Sequence, residues 1–250
     1  MRAVDALAGL AVIAVFDLAT DCAQAQNFQG AYAGIHAGYR FTHTDAATTA
    51  HSESAGGNAF NSPASSETFS SQSPLLGGHV GYNDFAGAFM FGIEGDFTAG
   101  EGRSSAESLL STTVSQQVCF EGCIVTTTTS TANESQSLDT GAQGTIRGRA
   151  GVTAGGTLFY GTAGLALGEF DWRDTLISNG STVTVTSNGV RSGWAAGGGA
   201  ETFIAPNLIL RSEYLYEDFK AFDVPLAGSR AAATLHPTVQ KLRAGLSFKF

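Results

Sequence analysis

At 250 residues the chain has room for one domain or two, and all-β barrels of this size commonly form a single unit. Its 32 glycines, 17 phenylalanines and 5 prolines, with 14% charged residues, fit neither a helical bundle nor a disordered polymer. The net charge of −9, with 13 Lys and Arg scattered along the chain, sets aside a nucleic-acid partner, because neutralising phosphates takes clustered cations.

Residues 1 to 25, MRAVDALAGLAVIAVFDLATDCAQA, read as a secretory signal. Arg2 gives a positive start, Ala6 to Phe16 an apolar run, and Ala23, Gln24 and Ala25 a small-x-small cleavage site. Asp17 and Asp21 are unusual in such a segment, and Asp21 is a poor residue to precede a lipidated Cys22. A mature chain from Gln26 keeps 12 basic against 19 acidic residues. No later stretch reaches the roughly 18 apolar residues that a membrane helix needs. A closed barrel crosses a membrane differently, with alternation in segments of about ten residues.

Such segments recur. GAYAGIHAGYRF (30 to 41) places Ile35, Tyr39 and Phe41 on one parity and Tyr32, His36 and Arg40 on the other. LLGGHVGYN (75 to 83) sets Leu76, Val80 and Tyr82 against His79, and GAFMFGIEGDF (87 to 97) sets Phe89, Phe91, Ile93 and Phe97 against Glu94 and Asp96. Residues 141 to 152 put Arg147 and Arg149 opposite Ile146 and Val152, and 157 to 170 group Phe159, Leu165 and Leu167. In the glycine-rich 193 to 203, Trp194 and Glu201 take opposite parities; 207 to 219 sets Leu208, Leu210, Tyr214 and Tyr216 against Arg211, Glu213 and Glu217. The closing stretch, 239 to 250, separates Lys241, Arg243 and Lys249 from Leu242, Leu246, Phe248 and Phe250. Period two over eight segments predicts strands.

The connections alternate too. Tight turns at 82 to 87, 154 to 156 and 205 to 207 are separated by long polar stretches at 43 to 74, 100 to 138, 171 to 192 and 220 to 238. This is the asymmetry of periplasmic turns and surface loops. Within the third long stretch, SNGSTVTVTSNG fits either a projecting ribbon or a polar loop. Since Lys or Arg facing mid-membrane lipid costs about 2–4 kcal/mol, the charged parity must face inward. The predicted lumen set is Glu94, Asp96, Arg147, Arg149, Glu201, Arg211, Glu213, Glu217, Lys241, Arg243 and Lys249, nearly charge-balanced. Packed in an eight-strand lumen, these groups must pair, and the barrel is expected to conduct ions poorly. A soluble eight-stranded carrier would invert the pattern, with its apolar side chains inside.

In their order, FQGAYAGIHAGYRF, GYNDFAGAFMFGIEGDF, TIRGRAGVTAGGTLFYGTAGLALGEF, GWAAGGGAETFIAPNLILRSEYLYEDF and KLRAGLSFKF resemble the small outer-membrane β-barrel proteins of Gram-negative bacteria. These are the opacity-like, porin-family proteins related to the OmpA-type barrel. The resemblance implies an all-β fold, an eight-stranded antiparallel up-and-down transmembrane barrel at the cell outer membrane, in contact with its lipid and lipopolysaccharide. It also implies that the barrel assembly machinery reads the last strand, with Phe250 as the terminal signal and Phe248 and Leu246 beside it. Members are structural or surface-adhesive, and some are regarded as porins or haem binders. The expected role is a non-enzymatic one in envelope integrity and surface display, with a small-solute porin or haem-binding barrel as the alternative.

Cys119 and Cys123, in CFEGC, would form a disulfide outside the cell, since C-x-x-x-C alone offers too few ligands for a metal. His36 and His79 share the inward parity of neighbouring strands, where they form either a metal, haem or pH-responsive site or a hydrogen-bonded pair. His51 beside Ser52 has no evident carboxylate to orient it, so no catalytic residue is assigned, and no G-x-G-x-x-G opens a helix. No cofactor is expected. Tyr39, Phe41, Tyr82, Phe85, Trp194, Phe203, Tyr214 and Tyr216 are the candidate interfacial aromatics.

Overall fold

Twelve strands follow one another along the chain of the computed structural model: β1 Gly30–Thr48, β2 His51–Ala55, β3 Asn58–Ser62, β4 Ser65–Ala86, β5 Phe89–Ala99, β6 Gly102–Cys119, β7 Cys123–Ala154, β8 Thr157–Ser178, β9 Ser181–Ala205, β10 Leu208–Phe219, β11 Phe222–Pro225 and β12 Ala232–Lys249. The structure describes residues 27–48, 51–55, 58–62, 65–119, 123–178, 181–227 and 232–250, without the side chains of 51–65 and 108–131. The predicted signal segment and Cys22 lie outside the described residues.

Eight strands close a ring in the order β1, β4, β5, β7, β8, β9, β10, β12 and back to β1, every neighbour antiparallel. Closure leaves no membrane-level edge, so the backbone there pairs strand to strand, with register shifts at Thr140/Gln143 and Leu208/Ile209. The last strand meets the first from Tyr32↔Lys249 to Thr48↔Ala233. Tight turns join the strands at one end, and Gly155 and Gly156, with φ of 57° and 79°, take the left-handed conformation that a two-residue hairpin turn requires.

Most of the described residues of the long polar stretches are strand, which corrects their reading as loops. β7 runs 32 residues and pairs with both β6 and β8 above the level where β5 ends. β8 and β9 stay paired to Ser178↔Ser181, so the ribbon reading of this stretch holds; Asn188 and Gly189 lie within β9 rather than in a turn. β11 continues the line of β10 against β12, and β2 and β3 form a hairpin against β6.

The reason lies in an inversion of polarity along single strands. In the lower half of β12, Leu246 and Phe248 are exposed while Lys241 and Arg243 are buried; higher up, on the same inward parity, the buried residues are Val239, Leu235 and Ala233. β8 does the same, with Phe159, Leu165 and Leu167 outside below and Phe170 and Trp172 inside above. Below the switch the barrel faces lipid and keeps its polar groups inside. Above it, water bathes the outside and the interior is an ordinary apolar core. That core gathers Phe69, Leu138, Phe170, Trp172, Phe219 and Phe222, with Trp172 edge-on to Phe69 at 5.7 Å.

Candidate functional site

Three layers fill the lumen. At the turn end, Phe28, Met90, Leu158, Tyr160, Phe203 and Ile209 form an apolar plug, with Phe28 against Phe203 at 4.6 Å. Phe203 is therefore an inward residue, not an interfacial aromatic, and Phe85 packs on the same plug. Tyr39 and Tyr82 are exposed as expected, and Trp194 packs on Tyr216 at 5.5 Å on the outer face. At the far end stands the apolar core described above.

Between them lies the charged layer. Ten of the eleven predicted lumen charges are buried within it. Lys249 is the exception: it shares their parity but sits half-exposed at the rim, near the last turn of the sheet, and takes no part in the network.

The carboxylates and guanidinium groups interlock across the barrel. Glu94 accepts both terminal nitrogens of Arg211, at 2.8 and 3.0 Å, and Nη2 of Arg147 at 2.7 Å. Asp96 Oδ2 accepts from Arg147 at 2.7 Å, Arg243 at 3.1 Å and the Thr145 hydroxyl at 2.6 Å. Glu213 receives Arg147, Arg211 and the Tyr160 hydroxyl on one oxygen, and Arg243 Nε at 2.6 Å on the other. Arg149 pairs with Glu201 at 2.5 Å, donates to the Tyr32 hydroxyl and lies over the Tyr160 ring at 3.8 Å. Lys241 donates to Glu217 at 2.6 Å. Buried charge persists only where partners replace water, and forked guanidinium groups suit two-oxygen acceptors.

Arg40 was not among the predicted charges, although it shares the parity of His36. It is fully buried and reaches carbonyl oxygens rather than a carboxylate: Gly141 at 2.9 Å, Gly100 at 2.7 Å and Thr140 at 3.0 Å, with Nε donating to Ser73. These carbonyls flank the break between β5 and β6 and the shift in β7–β8 register at Thr140/Gln143. Arg40 thus ties together the strands where the membrane sheet gives way to its extension. Tyr32 and Tyr160, also missed, were readable by the same parity rule, since each alternates with a lipid-facing neighbour.

His36 and His79 do meet. Their Nδ1 atoms are 3.3 Å apart, Thr98 Oγ1 and Arg243 Nη1 lie at 3.1 and 3.2 Å from His36 Nε2, and His79 Nε2 lies 2.7 Å from Ser247 Oγ. With Arg243 donating to His36 Nε2, one consistent relay follows, in which His36 Nδ1–H donates to His79 and His79 Nε2–H donates to Ser247. Each ring stands across from a glycine, Gly77 or Gly34, where a Cβ would collide with the opposing imidazole. The two imidazoles thus lie within hydrogen-bond distance of each other, and among the described residues no group of three or more His, Cys, Asp or Glu side chains is placed to hold a metal.

At the chain end, Phe250 is exposed, packs its ring on Phe248 at 5.5 Å and donates its backbone N–H to Ala31; Leu246 continues the same outer face. The β6–β7 register sets Cys119 opposite Cys123, while their side chains and residues 120–122 lie outside the described residues. The side chains of His51 and Ser52 lie outside them as well.

A barrel greasy outside, charged within and closed by its first and last strands is matched over residues 7–250 by the family described as outer membrane protein beta-barrel domain. The chain belongs to that family. A 31 kDa outer-membrane immunogenic protein of Brucella melitensis is 37% identical over 111 residues, 43% of this chain and 45% of that protein. A 22 kDa outer membrane protein of Rhizobium leguminosarum is 32% identical over 108 residues, 43% of this chain and 47% of that one. The matched part thus spans less than half the length of either relative. Among solved structures, OprG of Pseudomonas aeruginosa covers 90% of this chain and 99% of its own, at 12% identity and a TM-score of 0.44. This chain is an outer-membrane β-barrel protein.

Proposed function

We propose that this outer-membrane barrel is a non-enzymatic envelope protein, which stiffens the membrane it spans and holds a rigid, Ser/Thr-rich surface above it. The observation that supports this most is the filled lumen. Two apolar layers sandwich an interlocked charge layer, and the described interior offers a packed core where a porin would keep water. A filled barrel extended well past the bilayer is suited to bearing load and presenting a surface, and the strands replace loops that would otherwise move.

In this reading the outer face contacts membrane lipid and lipopolysaccharide, and the assembly machinery engages the last strand through Phe250, Phe248 and Leu246. Cells lacking the chain should take up more of a hydrophobic dye than the parent, and expression of the intact chain should restore exclusion. The chain without Phe250 should fail to restore it, because less of it reaches the outer membrane. Unchanged dye uptake in the deletion strain would remove the envelope role.

A further inference from the structure

Above the membrane the ring has an edge. β9 pairs with β8 without a register shift up to Ser178↔Ser181, but β10 follows it only to Phe219↔Gly193, and the last backbone bond between them runs from Lys220 N–H to Ser192 O. β11 then pairs with β12 instead. Among the described residues nothing pairs with β9 above Ser192 on that side. The connector from Ala227 to Ala232 holds 4 residues, and both its ends are fixed, Ala227 by Asp174 Oδ2 and Ala232 opposite Pro225, so it is too short to run along this edge.

Parity identifies the backbone groups left over. Ser192 points its carbonyl away from β8, so with no register shift Val190, Asn188, Thr186, Thr184 and Thr182 point their N–H and C=O the same way. Their side chains are exposed on the outer face with Trp194, and Val183 on the other face is 46% exposed as well, so among the described residues nothing covers the tip of this ribbon. Exposed edges are ordinarily blunted by charge, proline or a bulge. This one has none of them: Thr175 to Val190 contains no charged residue and no proline, and the ladder to β8 is unbroken.

The edge also carries the pattern of what fits it. Ser181 to Ser187 reads STVTVTS, the same in both directions about Thr184. A second copy laid antiparallel across a two-fold axis at Thr184 sets Thr184 opposite Thr184, Thr182 opposite Thr186, Val183 opposite Val185 and Ser181 opposite Ser187. The threonines are the residues whose N–H and C=O point away from β8, so their pairs exchange both backbone bonds. On one face threonine meets threonine and on the other valine meets valine, both favourable cross-strand partners. Electrostatics favours the same occupant, since a net charge of −9 makes two copies repel as wholes while this ribbon is neutral.

We propose that two copies of this chain join through their β9 edges at Ser181 to Ser187, as an antiparallel, isologous pair. β9 runs from the surface tip toward the turn end, so this pairing sets the barrels head to head and links copies in facing outer membranes.

Sedimentation of the full chain, folded in detergent and kept reduced so that none of its 3 cysteines links copies, should show a dimer. Thr184→Pro removes a donor from the free edge and none from the β8 ladder, and Thr184→Lys sets like charges against each other at the two-fold axis. Each should weaken dimerisation at least about tenfold while keeping the wild-type mobility difference between unheated and heated samples. Register is read separately, in a chain carrying Cys22→Ser, Cys119→Ser and Cys123→Ser. There Thr184→Cys should form a disulfide-linked dimer under mild oxidation, the paired Cα atoms lying about 5.5 Å apart, and Thr182→Cys should not, its own mate being about 13 Å further along the partner strand. A wild-type chain that stays monomeric would overturn the proposal and leave the edge to a strand of another protein. So would a dimer that both Thr184 variants leave intact, or one that cross-links equally at 182 and 184.

Discussion

Replacing Glu213 with alanine is expected to lower the stability of the folded barrel by about 3–5 kcal/mol, the range for breaking a buried ion pair from one side. Glu213 is 1% exposed and accepts from Arg147, Arg211, Arg243 and Tyr160. Its loss leaves guanidinium groups buried among an excess of their own sign, with Glu94 and Asp96 as the carboxylates still beside Arg147 and Arg243. Lys249→Ala provides the contrast: a charge of the same parity at the rim, outside the network, whose removal should change stability by under about 0.5 kcal/mol. Urea titration of the refolded barrel, followed by the mobility difference between unheated and heated samples, measures both. Equal effects from the two substitutions would mean that the lumen is hydrated and its charges screened.

Trp172→Ala is expected to cost a similar amount, about 3–5 kcal/mol, by opening a cavity in the core above the membrane. Trp172 is 1% exposed, packs edge-on against Phe69 and donates to the Pro225 carbonyl. A tryptophan in a surface loop would lose almost nothing on truncation, so this one residue distinguishes a strand extension with its own core from a set of loops. The same titration, with near-ultraviolet dichroism reporting the aromatic cluster, checks it. A wild-type unfolding midpoint in the variant would contradict the layered barrel.

The membrane half was legible because lipid imposes a severe rule. Once Lys241 and Arg243 were turned inward, parity alone oriented Glu94, Asp96, Arg147, Arg149, Arg211 and Glu213, and each of them is buried. Which cation meets which anion was not legible: Arg211 reaches Glu94 across 117 residues of sequence, through a stagger of the strands that no local pattern encodes. Arg40 escaped for a different reason. Its partners are backbone carbonyls, which no sequence pattern announces.

The upper half was misread because the chemistry of the two faces changes places while the strand runs on. Past Leu167 the outward residues become Glu169, Asp171 and Arg173, and Phe170 and Trp172 turn inward on the parity of Thr162. Read with a membrane rule, that stretch looks like the end of a strand. Read as one period with its solvent exchanged, it is continuous. Phe219, Phe222 and Val224, on either side of the short break between β10 and β11, carried the same signal.

The central claim is that the lumen is a packed interior and not a passage. Reconstitution of the purified, folded chain into planar bilayers tests it most directly. The account predicts an unchanged baseline from the wild-type barrel, whose charged layer lies between two apolar layers. Stable, reproducible conductance steps from the wild-type barrel would contradict it.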